Sequence, residues 1–190
     1  MTYIVELLRQ EHRNIEKLLH ILERELSLFD RGDRPNYELV VAIIDYFKDY
    51  PDTCHHPKED MIFDKLKSRN PAAAANIRDL HTEHEEGASR LRRAAQAVER
   101  VLGDQDLLRE TVDEIIRDFI ERERQHMKME EQIFFPTALE ALQPKDWAEI
   151  ALRLADRRDP LNGPDLDQKF SLLRRKILEI NAEAEAERLT

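Results

Sequence analysis

Residues 126–134 read "HMKMEEQIF", and residues 55–63 read "HHPKEDMIF". Both segments contain a histidine, a glutamate four residues later, an acidic residue directly after that glutamate, and a final Ile-Phe pair. Residues four apart in an α-helix differ by only about 40° around its axis, so the histidine and glutamate of each segment share one face. The repeat predicts two helices that each present an imidazole and a carboxylate to the same interior.

The repeat extends to the helix before each segment. Residues 10–19 read "QEHRNIEKLL" and residues 82–91 read "TEHEEGASRL", each with a Glu-His pair. The histidine of each pair falls on the apolar stripe of its helix. Two helical hairpins are therefore predicted to supply the same donors, one histidine from the first helix and a histidine plus a glutamate from the second. The predicted set is His12, His55, Glu59, His84, His126 and Glu130.

The segment at 55–60 allows two registers, His55 with Glu59 or His56 with Asp60. Alignment of "EDMIF" on "EEQIF" selects the first register. His56 and Asp60 are then expected to flank the donors.

The chain is predicted to be all-α. Glycine occurs at only 4 of 190 positions, and the commonest residues favour helix. Four long apolar stripes at helical spacing are separated by turn segments near residues 31–36, 68–76 and 103. This order predicts an up-down-up-down four-helix bundle over residues 1–143, with the third helix beginning near Pro71. Kinks are expected where prolines interrupt the second and fourth helices, at Pro51, Pro57 and Pro136.

Residues 144–190 are predicted to form a helical extension that packs on the bundle or on a partner. A short helix at 143–156 precedes a final helix at 165–187. The final helix carries a seam with heptad spacing, formed by Leu166, Phe170, Leu173, Ile177, Ile180 and Ala184. Two interpretations of this seam are equally compatible with its short length: it packs on its own bundle, or it forms a homodimer contact.

The composition of the chain limits the classes of binding partner and the cellular location that we expect. The formal net charge is −10, and we find no basic patch, which argues against nucleic acid and anionic membrane as partners. The apolar runs are too short to span a bilayer, and the first residues lack the apolar core of a signal peptide. Cys54 is the single cysteine, so no internal disulfide forms, and a cytoplasmic location is expected.

The donor set predicts a site for a pair of first-row metal ions. Imidazole suits iron, zinc or copper, and carboxylates favour iron or manganese. A structural zinc site would more often use cysteine. The alternative is a buried polar network without metal, which would have to balance two carboxylates against four imidazoles in one layer.

With these motifs the sequence resembles the hemerythrin family, in particular the bacterial hemerythrin-like domains named for their His-His-Glu cation-binding motif. The resemblance covers residues 2 to 142. It implies a non-haem di-iron centre, bridged by carboxylates and by an oxo or hydroxo group, on the six residues named above. The oxygen-carrying members use five histidines, two of them four residues apart on the third helix, and an aspartate five residues after the last ligand histidine. This chain has Glu130 four residues after His126.

This chain is more similar to the members with four histidines and two glutamates. These include proteins similar to the iron-sulfur-centre repair and nitrosative-stress proteins and the iron-sensing F-box protein. His81, three residues before His84, is either a fifth ligand or a residue at the helix edge.

Three functional hypotheses follow. The first is a di-iron protein that binds or reacts with dioxygen, nitric oxide or peroxide in sensing, stress defence or iron-centre repair. The second is a di-iron oxidoreductase similar to a peroxidase or catalase. The third is an interaction module in which the final helix transmits the metal or redox state to a partner.

Overall fold

The computed structural model describes residues 2–103, 105, 108–156 and 163–188, and within these ranges the chain is helical almost throughout and has no strand. No helix in the same ranges has the length and apolarity needed to cross a membrane. The α-helices are α1 (Tyr3–Asp30), α2 (Tyr37–Tyr50), α3 (His56–Arg69), α4 (Pro71–Ala74), α5 (Leu80–Leu102), α6 (Arg109–Met129), α7 (Phe135–Ala141), α8 (Pro144–Asp156) and α9 (Gly163–Arg188). Two π-helical turns, Pro51–His55 and Glu130–Phe134, join α2 to α3 and α6 to α7.

Four antiparallel rods form the bundle. The first is α1, the second is α2 with α3, the third is α5, and the fourth is α6 with α7. The α1 helix packs against α2 and α6, and α5 packs against α2 and α6, so the four rods close into a bundle. The predicted all-α bundle is confirmed.

The apolar interior is divided into two clusters along the bundle axis. One cluster contains Ile15, Phe47 and Phe119, and the other contains Leu8 and Phe63, together with their neighbours. On α1, His12 lies between Leu8 of one cluster and Ile15 of the other. The polar residues at this level are therefore enclosed by apolar side chains above and below.

The expected kinks in the second and fourth rods are π-helical turns. The backbone N–H of His56 donates to the carbonyl of Pro51, and that of Phe135 donates to the carbonyl of Glu130, five residues back in each case. Pro57 and Pro136 follow directly. A proline has no N–H and its ring collides with the carbonyl four residues earlier, so a wider turn before it relieves this clash.

The third rod begins later than the sequence predicts. Pro71 opens only the single turn of α4, in which Asn70 accepts a hydrogen bond from the backbone N–H of Ala73 at 3.0 Å. The α5 helix begins at Leu80, where Asp79 caps the first turn. Ile77 lies between the two helices and is nevertheless buried. The apolar stripe thus continues through backbone that is not helical.

The last two helices pack on the bundle. The α8 helix lies against α3, and α9 lies against α2. Of the predicted heptad seam, Phe170, Ile177 and Ala184 are buried, and Leu173 and Ile180 are partly buried against the same cluster. The side chain of Leu166 falls outside the described residues. The bundle itself therefore covers the described part of the seam.

A buried carboxylate ties α9 to α1. Glu25 is fully buried and accepts two hydrogen bonds from Arg188, at 2.9 and 2.7 Å, and one from the backbone N–H of Asn36 at 2.8 Å.

Glu25→Gln removes the charge that Arg188 pairs with. We expect the free energy of unfolding to fall by about 1 to 3 kcal/mol, measured by urea denaturation. Glu179→Gln, which removes an exposed ion pair on α9, is expected to change it by less than about 0.5 kcal/mol. Equal stability of the two variants would contradict this.

Candidate metal centre

All four rods contribute to one buried polar layer. His12 comes from α1 and His84 from α5, while His126 lies near the end of α6. The two π-helical turns place the remaining donors: His55 ends the first turn, Glu59 follows one helical turn later, and Glu130 begins the second turn. The glutamates are fully buried, and the histidine side chains are 3 to 10% exposed. The structure thus brings together all six residues that the sequence repeat singles out.

Glu59 faces histidines from both hairpins. Its Oε1 lies 3.4 Å from Nε2 of His12 and 3.3 Å from Nε2 of His55, and its Oε2 lies 3.5 Å from Nε2 of His84. One carboxylate therefore spans the layer.

Glu130 also faces histidines from both hairpins. Its Oε1 lies 3.2 Å from Nε2 of His126 and 3.9 Å from Nε2 of His84, and its Oε2 lies 3.3 Å from Nε2 of His12. The donors form two groups that share Glu59: His12, His55, Glu59 and Glu130 in one, and His56, Glu59, His84 and His126 in the other.

Four of these six separations, at 3.2 to 3.4 Å, fit ligands of a metal ion, and the two distances to His84 are longer, at 3.5 and 3.9 Å. Two atoms that each lie about 2.1 Å from one ion are roughly 3.0 to 3.4 Å apart. Among the described residues, no side chain or backbone group donates a hydrogen bond to the carboxylate oxygens of Glu59 or Glu130. A buried carboxylate without a partner costs several kcal/mol, so this pair requires protons or cations beside it. The residues present therefore fit a metal pair.

A second set of carboxylates surrounds the histidines. The Nδ1–H of His55 donates to Glu11 at 2.8 Å. In the other hairpin, Nδ1 of His126 lies 3.7 Å from Glu83. Each of these carboxylates directly precedes the histidine of the first helix of its hairpin, which explains why a Glu-His pair occurs twice in the sequence.

The other two histidines use carboxylates from the opposite hairpin. The Nδ1–H of His12 donates to Glu131 at 3.0 Å, and Nδ1 of His84 lies 3.2 Å from Asp60. These carboxylates directly follow the buried glutamates, so the second acid of each repeat also has a place. A carboxylate on Nδ1 leaves Nε2 free to bind a metal ion. No role is predicted for Glu11, Glu83 or Glu131 from the sequence alone, although their repetition is a signal that could have indicated one.

Glu11 offers a test of this outer set. It also accepts a hydrogen bond from Lys58 at 2.7 Å, so its position is held from two sides. Glu11→Ala is expected to weaken metal binding by about 10- to 100-fold, because His55 loses the group that orients its ring. Competition with a coloured chelator measures this. Glu6→Ala, an exposed position on the same helix, serves as the control, and equal affinity of the two variants would refute a positioning role.

When no metal is bound, protonated histidines balance the negative charge of the buried carboxylates. Burial opposes a charged imidazole, but Glu130 and Glu59 outweigh it and raise the pKa of His12 to about 11. Against the same opposition, Asp60 and the buried glutamates raise the pKa of His84 to about 12. Burial also opposes the charged form of His126, but Glu130 and Glu83 outweigh it and raise the pKa of His126 to about 9. A metal ion entering this layer must displace protons.

The carboxyl groups are correspondingly acidic. Burial and the charge of Glu59 raise the pKa of Glu130, but the nearby imidazoles of His126, His12 and His84 outweigh them and lower it to about 2. Burial likewise opposes ionisation of Glu59, yet His55 and His12 bring its pKa well below the usual value. Both carboxylates are therefore ionised at neutral pH.

The two remaining histidines near the site differ in position. His81 is half-exposed, with Nδ1 3.2 Å from Asp60 and Nε2 3.3 Å from Asp64, so it lies at the helix edge. The ring of His56 stacks on that of His84 with centroids 3.8 Å apart, and its Nδ1–H donates to Asp52 at 2.9 Å. The structure thus places His56 against one half of the site.

A four-helix bundle with a buried layer of histidines and two shared glutamates defines a class of helical proteins that can hold metal cations in their interior. The family model of the hemerythrin HHE cation-binding domain matches residues 3–138, and the chain belongs to this family. The match includes all four rods and ends within α7. No curated protein and no solved structure gives a significant match to the chain.

Proposed function

We propose that the chain holds two iron ions and binds or reacts with a small inorganic ligand. His12 and His55 would ligate one ion, His84 and His126 the other, with Glu59 and Glu130 shared between them. The observation that carries this proposal is the position of the two carboxylates. Each faces histidines of both hairpins, and neither has a hydrogen-bond donor among the described residues.

The donor chemistry supports iron. Imidazole and carboxylate ligands together suit iron, which commonly takes up to six ligands, whereas two histidines and two shared carboxylates supply only four. Room therefore remains at the ions for dioxygen, nitric oxide or peroxide. Bound iron supplies reversible ligand coordination and one-electron redox chemistry. These properties suit sensing, stress defence or iron-centre repair.

The chain's own residues would orient and enclose the ions. The outer carboxylates hold the histidine rings, and the two apolar clusters keep bulk water from the layer. With a net charge of −10, we expect neither a nucleic-acid nor a membrane partner. The single cysteine is in keeping with the reducing cytoplasm, where we place the protein.

Metal analysis after anaerobic loading with Fe(II) tests this function. We expect about two irons per chain, with charge-transfer bands that develop in air and change with nitric oxide. His126→Ala is expected to lose metal and bands, whereas His20→Ala, at an exposed position of α1, is expected to keep both. A wild-type chain that retains no iron would contradict the proposal. Turnover of peroxide well above that of free iron would favour the peroxidase-like or catalase-like alternative.

A second candidate function is a metal-responsive interaction module, favoured by one chain of contacts. The ring of Tyr50 stacks on that of His55 with centroids 6.4 Å apart, and Phe170 of α9 packs on Tyr50 at 5.3 Å. A change at the ions could thus reach α9. Amide hydrogen exchange in α9 is expected to differ between the metal-free and iron-loaded protein, and identical exchange would contradict this candidate.

A further inference from the structure

The two halves of the site differ in how they are enclosed. Alignment of the segment after His12 with that after His84 pairs Ile15 with Gly87, three residues on in each copy. Ile15 is fully buried. Glycine has no side chain to occupy the corresponding volume, so the repeat that makes the donor sets alike leaves a gap on one side.

A cavity adjoins the His84 and His126 half. It has a volume of about 120 Å³, and its lining includes both histidines as well as Gly87, Arg90 and His56. The residue that corresponds to Arg90 in the first copy is the fully buried Leu18. The second hairpin thus has a glycine and a polar side chain where the first has two buried aliphatic ones.

Aromatic rings cover the other half. Phe135 stacks on His12 at 5.6 Å, and Tyr50 stacks on His55. A surface groove does reach His12, but there Glu131 occupies Nδ1, the edge of the ring that faces away from the buried glutamates. This groove is lined by one of the candidate ligands, whereas the cavity beside Gly87 is lined by two, His84 and His126.

We infer that the small ligand enters through the cavity beside Gly87 and binds the ion held by His84 and His126. The inference rests on the proposed function and adds which of the two ions is accessible. The cavity is well below the roughly 300 to 1,000 Å³ of pockets for organic ligands, and its size suits diatomic and triatomic ligands.

Gly87 can be replaced without a steric clash at its own position. The nearest heavy atom to an added Cβ is Oε2 of Glu123 at 4.0 Å, and the backbone at Gly87 lies within the regular helix α5. Side chains of increasing size at this position would progressively fill the cavity. Isoleucine is the natural endpoint of such a series, because Ile15 occupies the same place in the first hairpin.

The test is a size series, Gly87→Ala, Gly87→Val and Gly87→Ile, on iron-loaded protein. Stopped-flow measurements follow azide binding to the diferric form and nitric oxide binding to the diferrous form. We expect the association rate constant to fall with side-chain size, by about tenfold or more for isoleucine, with iron content unchanged. Gln132→Trp adds comparable bulk to the groove beside His12 and is expected to leave the rate unchanged.

The outcomes separate the inference from the function it rests on. If Gly87→Ile holds iron and binds both probes as fast as wild type, the inference is wrong and the proposed function stands. If wild-type protein holds iron but binds neither probe, both are wrong. Should Gly87→Ile lose iron, Ala88→Leu, whose side chain also lines the cavity, is judged by the same rate criterion.

Discussion

Glu59→Ala is expected to abolish binding of both of the proposed iron ions. Glu59 is one of the two carboxylates proposed to be shared between the ions, because its Oε1 faces His12 and His55 while its Oε2 faces His84. Its removal leaves each ion short of a ligand and lowers the negative charge of the layer. Iron content after anaerobic loading, measured by elemental analysis, should fall from about two per chain to well below one.

The matched control for this variant is Glu16→Ala. Glu16 lies on α1, one helical turn after His12, but points outward to Arg124. A partly exposed ion pair of this kind contributes about 1 kcal/mol or less, so iron content should be unchanged. Two irons per chain in Glu59→Ala would exclude a shared carboxylate at this position.

Metal affinity is expected to rise steeply with pH. In the metal-free protein the pKa values of His12, His84 and His126 are raised to about 11, 12 and 9, so all three are protonated at pH 6 to 8. Ions must displace these protons, and each proton released adds about a tenfold gain in apparent affinity per pH unit. Calorimetry in buffers of different ionisation enthalpy counts the protons. Release of less than one proton per chain would contradict this prediction.

The same shifts predict how the metal-free protein responds to alkali. A raised folded-state pKa gives a stabilising contribution that is complete below the ordinary histidine value and is lost as the pH rises through the folded value. His126, with a pKa of about 9, should lose its proton first. The melting temperature of metal-free protein should therefore begin to fall above pH 6.5, with the contribution of His126 lost by about pH 9, while iron-loaded protein should change less. Equal responses of the two forms would be inconsistent with protonated donors.

Much of the fold and of the donor layer follows from the sequence because helical periodicity is a local property. Residues four apart share a helix face, so His55 with Glu59 and His126 with Glu130 can be paired without any tertiary information. The duplication then selects the register and predicts that both hairpins contribute to one layer. The family model over residues 3–138 confirms the resemblance that these motifs indicate.

Helical periodicity indicates on which face of a helix a side chain lies, but not which residue of another helix it contacts. That Glu131 reaches His12 and Asp60 reaches His84 depends on how the two hairpins pack, and nothing in either segment specifies a partner in the other. The late start of α5 also could not be predicted from periodicity. Ile77 is buried although it lies between α4 and α5, so its apolar side chain continues the stripe without being part of a helix.

The helical class, the repeat and the six residues of the layer are predictable without tertiary information, since each depends on residue type and spacing along one chain. Contacts between helices determine three further features: Phe170 and Ile177 pack on the bundle, His56 stacks on His84, and a cavity adjoins one half of the layer. A seam or a glycine in a sequence specifies what a side chain can contact, whereas packing determines which volumes are filled and which stay open.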